Sequence, residues 1–210
     1  MKQFEFLTEN TLKKLKIYDS LLKKWQKAIN LVSSSSLTDS WVRHFMDSTQ
    51  LWPLIPLGAK TLVDFGSGAG FPGLVLGIIA AEHQPALTVH LIESDTRKCA
   101  FLQEVVRECG GKIIIHPTRI EAVDPFAADV ITARALKDLN TLLLYSKPFV
   151  TASTVALFLK GEKAQEELDS AQKTIQMNVQ KIPSQTDEKG VVLRLTQIQF
   201  NKEIIKQGEK

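Results

Sequence analysis

The chain has 210 residues, of which 44% are hydrophobic and 23% charged, the composition of an ordinary globular protein. Its net charge of +3 and sequence pI of about 8.8 fall short of the strongly basic range typical of dedicated nucleic-acid-binding domains. Because no apolar stretch reaches the ~18 residues of a membrane span and the N-terminus lacks a signal-peptide core, we expect a cytoplasmic protein that binds no membrane.

The N-terminal segment, residues 1–58, is predicted to be a helical extension packed on the core. Apolar residues recur at three- and four-residue steps, at Leu12, Leu15, Tyr18, Leu22, Trp25 and Ile29. This spacing predicts an amphipathic helix over residues 5–29. A serine-rich turn follows, and Thr38 and Asp39 are predicted to cap a second helix over residues 40–51. Residues 1–31 carry seven lysines and three acids, and either a solvated helix face or a phosphate-facing patch explains them.

Beyond residue 59, short apolar runs alternate with helical patterns. The runs that end at residues 64, 93, 116, 134 and 160 predict strands, and helices are predicted over residues 71–81, 95–109, 136–145 and 164–176. Pro72 is expected in the first turn of its helix. The turn "PSQTDEKG" before the closing strand "GVVLRLTQI" predicts an antiparallel edge hairpin. Residues 59–210 are therefore expected to form one α/β domain with a doubly wound, mostly parallel sheet.

The predicted strands end on charged or titratable side chains. These are Asp64, Glu93, His116, Arg134 and Lys160. Ligands of doubly wound sheets bind outside the carboxyl ends of the strands. We therefore expect a functional site at this edge.

The stretch "TLVDFGSGAGFPG" has two interpretations. Its second half fits the G-x-G-x-x-G of a dinucleotide fold, whereas Asp64, Gly66, Gly68 and Gly70 fit the loop that holds S-adenosylmethionine. A carboxylate beside a pyrophosphate would cost about 4 kcal/mol at ~4 Å, and Pro72 removes one of the N–H groups that bind phosphate. The donor's α-ammonium and sulfonium instead favour an acid. Glu93 suits the ribose of either ligand, so the sequence predicts an S-adenosylmethionine site.

Several motifs resemble the bacterial 16S ribosomal RNA guanine-N7 methyltransferase family (RsmG, formerly GidB, glucose-inhibited division protein B). They are "VDFGSGAGFPG", "VRHFMDS", "LIESDTRKCAFL", "RIEAV" and "TARAL". The resemblance implies a Rossmann-like class I methyltransferase fold, S-adenosylmethionine as cofactor, and N7 of the guanine at position 527 of 16S rRNA as target. The partner would be the 16S rRNA or the 30S subunit. The chain departs from the family where Glu121 is followed by Ala122 instead of a second glutamate.

The resemblance also implies residue roles. Around the donor it places Gly66, Phe71, Ile120, Glu121 and Arg134, beside the Asp64, Gly68, Gly70 and Glu93 of the glycine-loop interpretation. Facing the RNA base and phosphates it places Asn30, His44, Arg119, Arg134 and Lys160. For three of these a structural role is the alternative: helix packing for His44, a solvated strand end for Lys160 and a helix C-cap for Asn30.

The predicted chemistry needs alignment of the reactants and no proton transfer. N7 of guanine carries a lone pair and no proton, so no general base is expected, and neither is a metal. Because a cation at N7 would protect it, Arg134 and Lys160 are expected to bind phosphate or O6. We expect a monomer that does not bind DNA. The alternatives are a methyltransferase of another substrate class and a non-catalytic module that binds the cofactor.

Overall fold

The computed structural model describes residues 6–201, so the predicted helix start at residue 5 lies outside the described residues. Seven strands form one sheet: β1 Thr61–Phe65, β2 Thr88–Ile92, β3 Ile113–His116, β4 Val130–Arg134, β5 Val155–Lys160, β6 Ile175–Pro183 and β7 Val191–Phe200. Seven α-helices accompany it: α1 Glu9–Trp25, α2 Ser34–Leu37, α3 Asp47–Thr49, α4 Gly73–His83, α5 Thr96–Cys109, α6 Leu139–Ser146 and α7 Ala164–Ala171.

The strand order is β3-β2-β1-β4-β5-β7-β6. Strands β1 to β5 pair in parallel, and β7 runs antiparallel to both β5 and β6. Apolar side chains cover both faces of the central strands, with Leu62 packed under α1, α4 and α5 and Val63 packed under α6 and α7. The central strands are unbroken apolar runs because both of their faces are buried. The prediction of a doubly wound, mostly parallel sheet with an antiparallel edge hairpin is confirmed.

Several predicted helices differ from the observed ones at their ends, and α6 begins at Leu139 instead of residue 136. Helix α1 begins at Glu9 because the Thr8 hydroxyl accepts a hydrogen bond from the Thr11 N–H, and it stops at Trp25, short of residue 29. Helix α7 ends at Ala171, so its predicted extension to residue 176 is wrong. Ile175 instead begins β6 and pairs with Phe200 across the hairpin.

The segment between α1 and β1 is less regular than predicted. The serine-rich turn forms α2, capped by the Ser33 hydroxyl. A π-helical turn, Trp41–Met46, then leads into α3, and no side chain caps its start. The predicted capping by Thr38 and Asp39 is therefore wrong. Pro72, expected in the first turn of α4, lies one residue before it.

The N-terminal extension packs on α4, α5 and the glycine loop. The Tyr18 hydroxyl donates to the Ala69 carbonyl, and the Trp25 indole N–H donates to Glu104 at 2.7 Å. The division into units 1–58 and 59–210 stays a prediction. No helix within residues 6–201 is long and apolar enough to cross a membrane.

Candidate active site

Two cavities lie side by side at the carboxyl edge of the sheet. The first cavity, of about 390 Å³, is lined among others by Gly66, Gly68, Glu93, Arg119, Ile120, Glu121 and Tyr145. The second cavity, of about 420 Å³, is lined among others by Asp47, Lys160, Glu167 and Asp187. Arg134 and Ala135 line both cavities. The end of β4 is therefore the wall that the two cavities share.

The glycine loop between β1 and α4 takes a path that side chains disfavour. Gly66, Gly68 and Gly70 have φ values of +62°, +57° and +93°. A Cβ added to Gly70 would collide with Leu74 and the Tyr18 hydroxyl, so this glycine allows close packing. A Cβ on Gly68 would meet no atom closer than 3.8 Å, so here the glycine is required by its backbone angle alone. The loop thus presents bare backbone to the first cavity.

Glu93, directly after β2, holds the glycine loop against the second strand. One carboxylate oxygen accepts from the Gly68 N–H at 2.8 Å, and the other from the Asp95 N–H at 2.8 Å. Each oxygen keeps a further lone pair for a ligand. The binding of ribose hydroxyls by Glu93 stays a prediction.

Asp64 lies beneath the loop, fully buried, and does not line the first cavity. One of its oxygens accepts from the Thr132 hydroxyl at 2.7 Å, whereas Oδ2 has no hydrogen-bond partner among the described residues. Burial raises the pKa of Asp64 from 3.8 to about 6, and hydrogen bonding to Thr132 offsets part of that rise. The structure therefore places Asp64 behind the binding surface.

Phe71 and His44 belong to a buried aromatic cluster. Phe71 stacks on Tyr18 at 5.3 Å between ring centroids and on His44 at 5.0 Å. His44 Nε2 lies 3.0 Å from the Ser36 hydroxyl, and burial, with a smaller contribution from Arg134, lowers its pKa to about 4. Neither ring lines the two cavities. Their geometry favours the packing alternative for His44 and a supporting position for Phe71.

Arg134 occupies the junction of the two cavities. Its Nη1 donates to the Arg43 carbonyl at 2.9 Å and to Asp47 Oδ2 at 3.2 Å. The guanidinium carbon lies 5.2 Å from the Phe71 ring centroid. These contacts use one face of the guanidinium and the nitrogen Nη1. Within residues 6–201, Nε and Nη2 therefore remain available as donors.

Lys160 lines the second cavity with its side chain largely shielded from solvent, so the alternative of a solvated strand end is wrong. Its side chain is 8% exposed, and Nζ contacts Glu167 at 2.7 Å and donates to the Lys137 carbonyl at 2.6 Å. An ammonium group has three N–H donors, so one remains. Glu167 also accepts from the Leu139 N–H at 2.7 Å, which fixes the pair to the start of α6.

The far wall of the first cavity is the short helical turn Ile120–Ala122. Ile120 is buried and offers an apolar surface, and Arg119 precedes it at the mouth. Two hydrogen bonds hold the pKa of the Glu121 carboxyl below its usual range. The larger effect comes from its own backbone N–H and the smaller from the Tyr145 hydroxyl. This wall has the composition expected around an adenine ring.

Asn30 stands apart from this assembly. It is exposed in the loop after α1 and lines neither cavity. The C-cap of α1 is Gln26, so the alternative role of Asn30 as a C-cap is wrong. Of the N-terminal lysines, Lys23 pairs with Asp19 and Lys24 with Glu104. Lys2 lies outside the described residues.

The lining side chains that sequence reasoning missed include Asp47, Glu167, Tyr145 and Asp187. Asp47 lies within the quoted motif "VRHFMDS", and its position in that motif was the available signal. Glu167 and Tyr145 lie on helices without a motif, and only the tertiary structure brings them to the edge. Among residues 6–201, no group of three or more metal-ligating side chains is assembled.

The first cavity fits S-adenosylmethionine. A cradle of bare glycine backbone, an acid with spare lone pairs on Glu93 and an apolar wall at Ile120 match its methionine, ribose and adenine parts. A buried negative charge at Asp64 beneath the loop suits a ligand that carries an ammonium and a sulfonium. A dinucleotide pyrophosphate would lie over the same charge.

Residues 11–192 match the family described as "rRNA small subunit methyltransferase G" (GidB). The chain is 47% identical over 192 residues to "Ribosomal RNA small subunit methyltransferase G" of Paramagnetospirillum magneticum, covering 91% of both chains. It is likewise 47% identical to the protein of that name in Rhodospirillum centenum, covering 91% of this chain and 87% of that one.

Solved structures are similar in fold at low identity. The ribosomal protein L11 methylase of Lactobacillus delbrueckii subsp. bulgaricus superposes with a TM-score of 0.59 at 15% identity, covering 74% of this chain and 78% of that one. The O-methyltransferase TomG of Streptomyces achromogenes, solved with S-adenosylmethionine, gives 0.59 at 11% identity, covering 88% and 89%. These likenesses establish the class I methyltransferase fold.

Proposed function

Because the chain belongs to the rRNA small subunit methyltransferase G family, and is thus an S-adenosylmethionine-dependent ribosomal RNA methyltransferase, we propose that it methylates N7 of a guanine in 16S rRNA. The guanine implied by the family resemblance is that at position 527. The observation that carries this proposal is the pair of cavities that share Arg134 and Ala135. One cavity would hold the methyl donor and the other the base, with the reacting atoms meeting at their common wall.

In this proposal the first cavity holds the donor through three elements. Gly66 and Gly68 present backbone to the methionine part, Glu93 accepts from the ribose hydroxyls, and Ile120 covers the adenine. Asp64 acts through the loop above it and touches no reacting atom.

Arg134 and Lys160 then position the base. Each has donors left over from its contacts within the protein. Those donors are aimed at O6 or at phosphate oxygens, since a cation against N7 would block its lone pair. Holding two reactants in line is worth up to about 7–11 kcal/mol of the barrier in favourable cases.

When bound, S-adenosylmethionine would supply a sulfonium-activated methyl group to the N7 lone pair, with the S–C electron pair staying on sulfur and the positive charge passing to the base. No proton leaves N7, so the chain needs no general base there. Asp64, whose pKa is raised to about 6, is sealed from both cavities and is not placed to act as one.

The test is transfer of tritium from labelled S-adenosylmethionine to 30S particles purified from cells that lack the enzyme. Label should enter the RNA and map to one guanine by strand scission at N7-methylguanosine after borohydride and aniline treatment. Label on another atom, another RNA or only on protein would overturn the proposal. A lysate stripped of RNA should take up no label.

We further propose a cytoplasmic monomer that recognises the guanine within the assembled small subunit. The mild net charge of +3 supports a substrate surface that is already folded, because it supplies little non-specific affinity for naked RNA. Parallel assays on naked 16S rRNA and on 30S particles decide this point, and faster methylation of naked RNA would contradict it. Light scattering of the free chain tests the monomer.

A further inference from the structure

The second cavity holds more charge than binding a phosphate or O6 requires. Arg134 and Lys160 line it together with the acids Asp47, Asp138, Glu167 and Asp187. Three of these acids already have partners that account for their position. Asp47 binds Arg134, Glu167 binds Lys160, and Asp138 caps α6 through the Thr141 N–H and hydroxyl.

Asp187 differs from the other three acids. It lies in the connection between β6 and β7, and its Oδ1 accepts only the Lys189 N–H at 3.0 Å. Within the part of the chain that the structure describes, it has no cationic partner, and its Oδ2 accepts no hydrogen bond. It therefore contributes an exposed carboxylate with open lone pairs to the second cavity.

The loop that carries Asp187 is held by Asp47, which also holds Arg134. The Thr186 hydroxyl donates to Asp47 Oδ1 at 2.7 Å, while Asp47 Oδ2 accepts from Arg134. The Gln185 N–H donates to Gln50 at 2.9 Å, one turn further along the same helical segment. Asp47 thus holds both Arg134, which lines both cavities, and the β6–β7 loop, which carries Asp187.

Guanine presents a pattern that such a carboxylate can read. Its Watson–Crick edge carries two adjacent donors, N1–H and the N2 amino group, and a carboxylate accepts from both. Proteins that act on a base commonly read it on this edge. Adenine presents an acceptor at N1 and has no amino group at C2. Methylation at N7 also leaves the base positively charged, which strengthens its hydrogen bonds to an anion.

We propose that Asp187, on the β6–β7 loop, is the specificity-determining residue, and that its carboxylate accepts hydrogen bonds from the N1–H and the N2 amino group of the target guanine. The proposal rests on the proposed function and deepens it. Its position also explains why the edge hairpin, which lies outside the donor site, is anchored to Asp47 and Gln50.

The experiment compares 30S particles reconstituted with guanosine or with inosine at the target position, since inosine keeps N1–H and lacks the amino group. With the unchanged chain, guanosine should be methylated about 10- to 100-fold more efficiently in kcat/KM, the effect of one hydrogen bond to a charged group. Asp187→Ala should lower kcat/KM on guanosine by at least that factor, since it loses the hydrogen bonds from both N1–H and the amino group, and should bring the guanosine-to-inosine ratio close to one. Asp187→Asn, which keeps one acceptor, should fall between them.

Glu188→Gln is the matched control, because Glu188 is on the same loop and does not line the second cavity. It should keep both the rate and the ratio. All three variants should bind S-adenosylmethionine as the unchanged chain does, which calorimetry checks. A normal ratio in Asp187→Ala, whether or not the rate falls, would overturn the inference and leave the proposed function standing. Failure of the unchanged chain to methylate guanosine would overturn the proposed function and this inference together.

Discussion

The variant Asp64→Asn separates two effects of the buried acid, its cost to folding stability and its contribution to binding of the methyl donor. Asp64 is fully buried, its Oδ2 has no hydrogen-bond partner among residues 6–201, and its pKa is raised to about 6 by burial. Asparagine keeps the shape and an acceptor for the Thr132 hydroxyl but removes the charge. We expect the variant to relieve a cost in stability and to bind the cationic donor more weakly.

The sign and size of the stability effect follow from proton linkage. The folded chain holds the Asp64 proton up to about pH 6, whereas the unfolded chain releases it near 3.8, so stability falls as the pH rises through that window. A difference of about two pH units corresponds to about 3 kcal/mol. Other acids, such as Asp138, have lowered pKa values and act in the opposite direction, so the comparison must be made against the variant.

Urea unfolding of both chains at pH 4 and pH 7 measures this quantity. The free energy of unfolding of the unchanged chain, relative to Asp64→Asn, should fall by about 2–3 kcal/mol between the two values. Thr132→Val removes the hydroxyl that stabilises the carboxylate, so it should move the upper end of the window to higher pH. Calorimetry at pH 7 should show weaker S-adenosylmethionine binding to Asp64→Asn.

A difference that stays constant between pH 4 and pH 7 would refute the linkage argument, because it would mean that folding does not perturb the carboxyl. Unchanged donor affinity in a variant with the expected pH dependence would instead show that the charge serves only the fold. The two outcomes are independent, so neither measurement can stand in for the other.

Other variants probe the remaining parts of the site. Glu93→Gln should weaken S-adenosylmethionine binding at least tenfold by calorimetry, since it loses the charge that binds hydroxyls and anchors the Gly68 N–H, while unchanged affinity would remove Glu93 from the ribose site. Gly68→Ala should lower the free energy of unfolding by about 1–2 kcal/mol, because its φ of +57° disfavours a Cβ that has ample space; no loss in urea unfolding would contradict this account. Asp47→Ala should lower kcat on 30S particles more than tenfold with little change in donor affinity, because Arg134 and the β6–β7 loop both lose their anchor; a normal kcat would show that neither needs it.

The sheet was predictable because its signal is local. Each central strand is an apolar run with a charged residue at or next to its carboxyl end, so the pattern that predicts the strand also marks the ligand edge. Helix ends were less predictable where a capping hydrogen bond or a strand took the place of a further helical turn. The Thr8 cap sets the start of α1, and Ile175 joins β6 instead of extending α7. The irregular segment that precedes the sheet has no single period, and its π-helical turn was missed for that reason.

The site was predictable to the extent that its residues follow strands. Glu93, Arg134 and Lys160 line the cavities because parallel strands bring their carboxyl ends together. Asp64 follows the same rule and yet lies beneath the surface, because Gly73, where the glycine loop enters α4, packs directly against it. Whether a strand-end side chain faces the ligand or the core depends on the loop, and the strand pattern does not specify this.

The segment before the sheet takes part in the site as well as in the core. Asp47 binds Arg134 and the hydroxyl of Thr186, and Tyr18 supports the glycine loop at Ala69. These contacts reach the donor loop, the shared wall and the closing hairpin from one side. A class I sheet can bind the donor with its own strand ends, but here the alignment of Arg134 depends on the extension. In this chain, contacts from the extension therefore hold the glycine loop of the first cavity, the Arg134 wall and the hairpin of the second cavity.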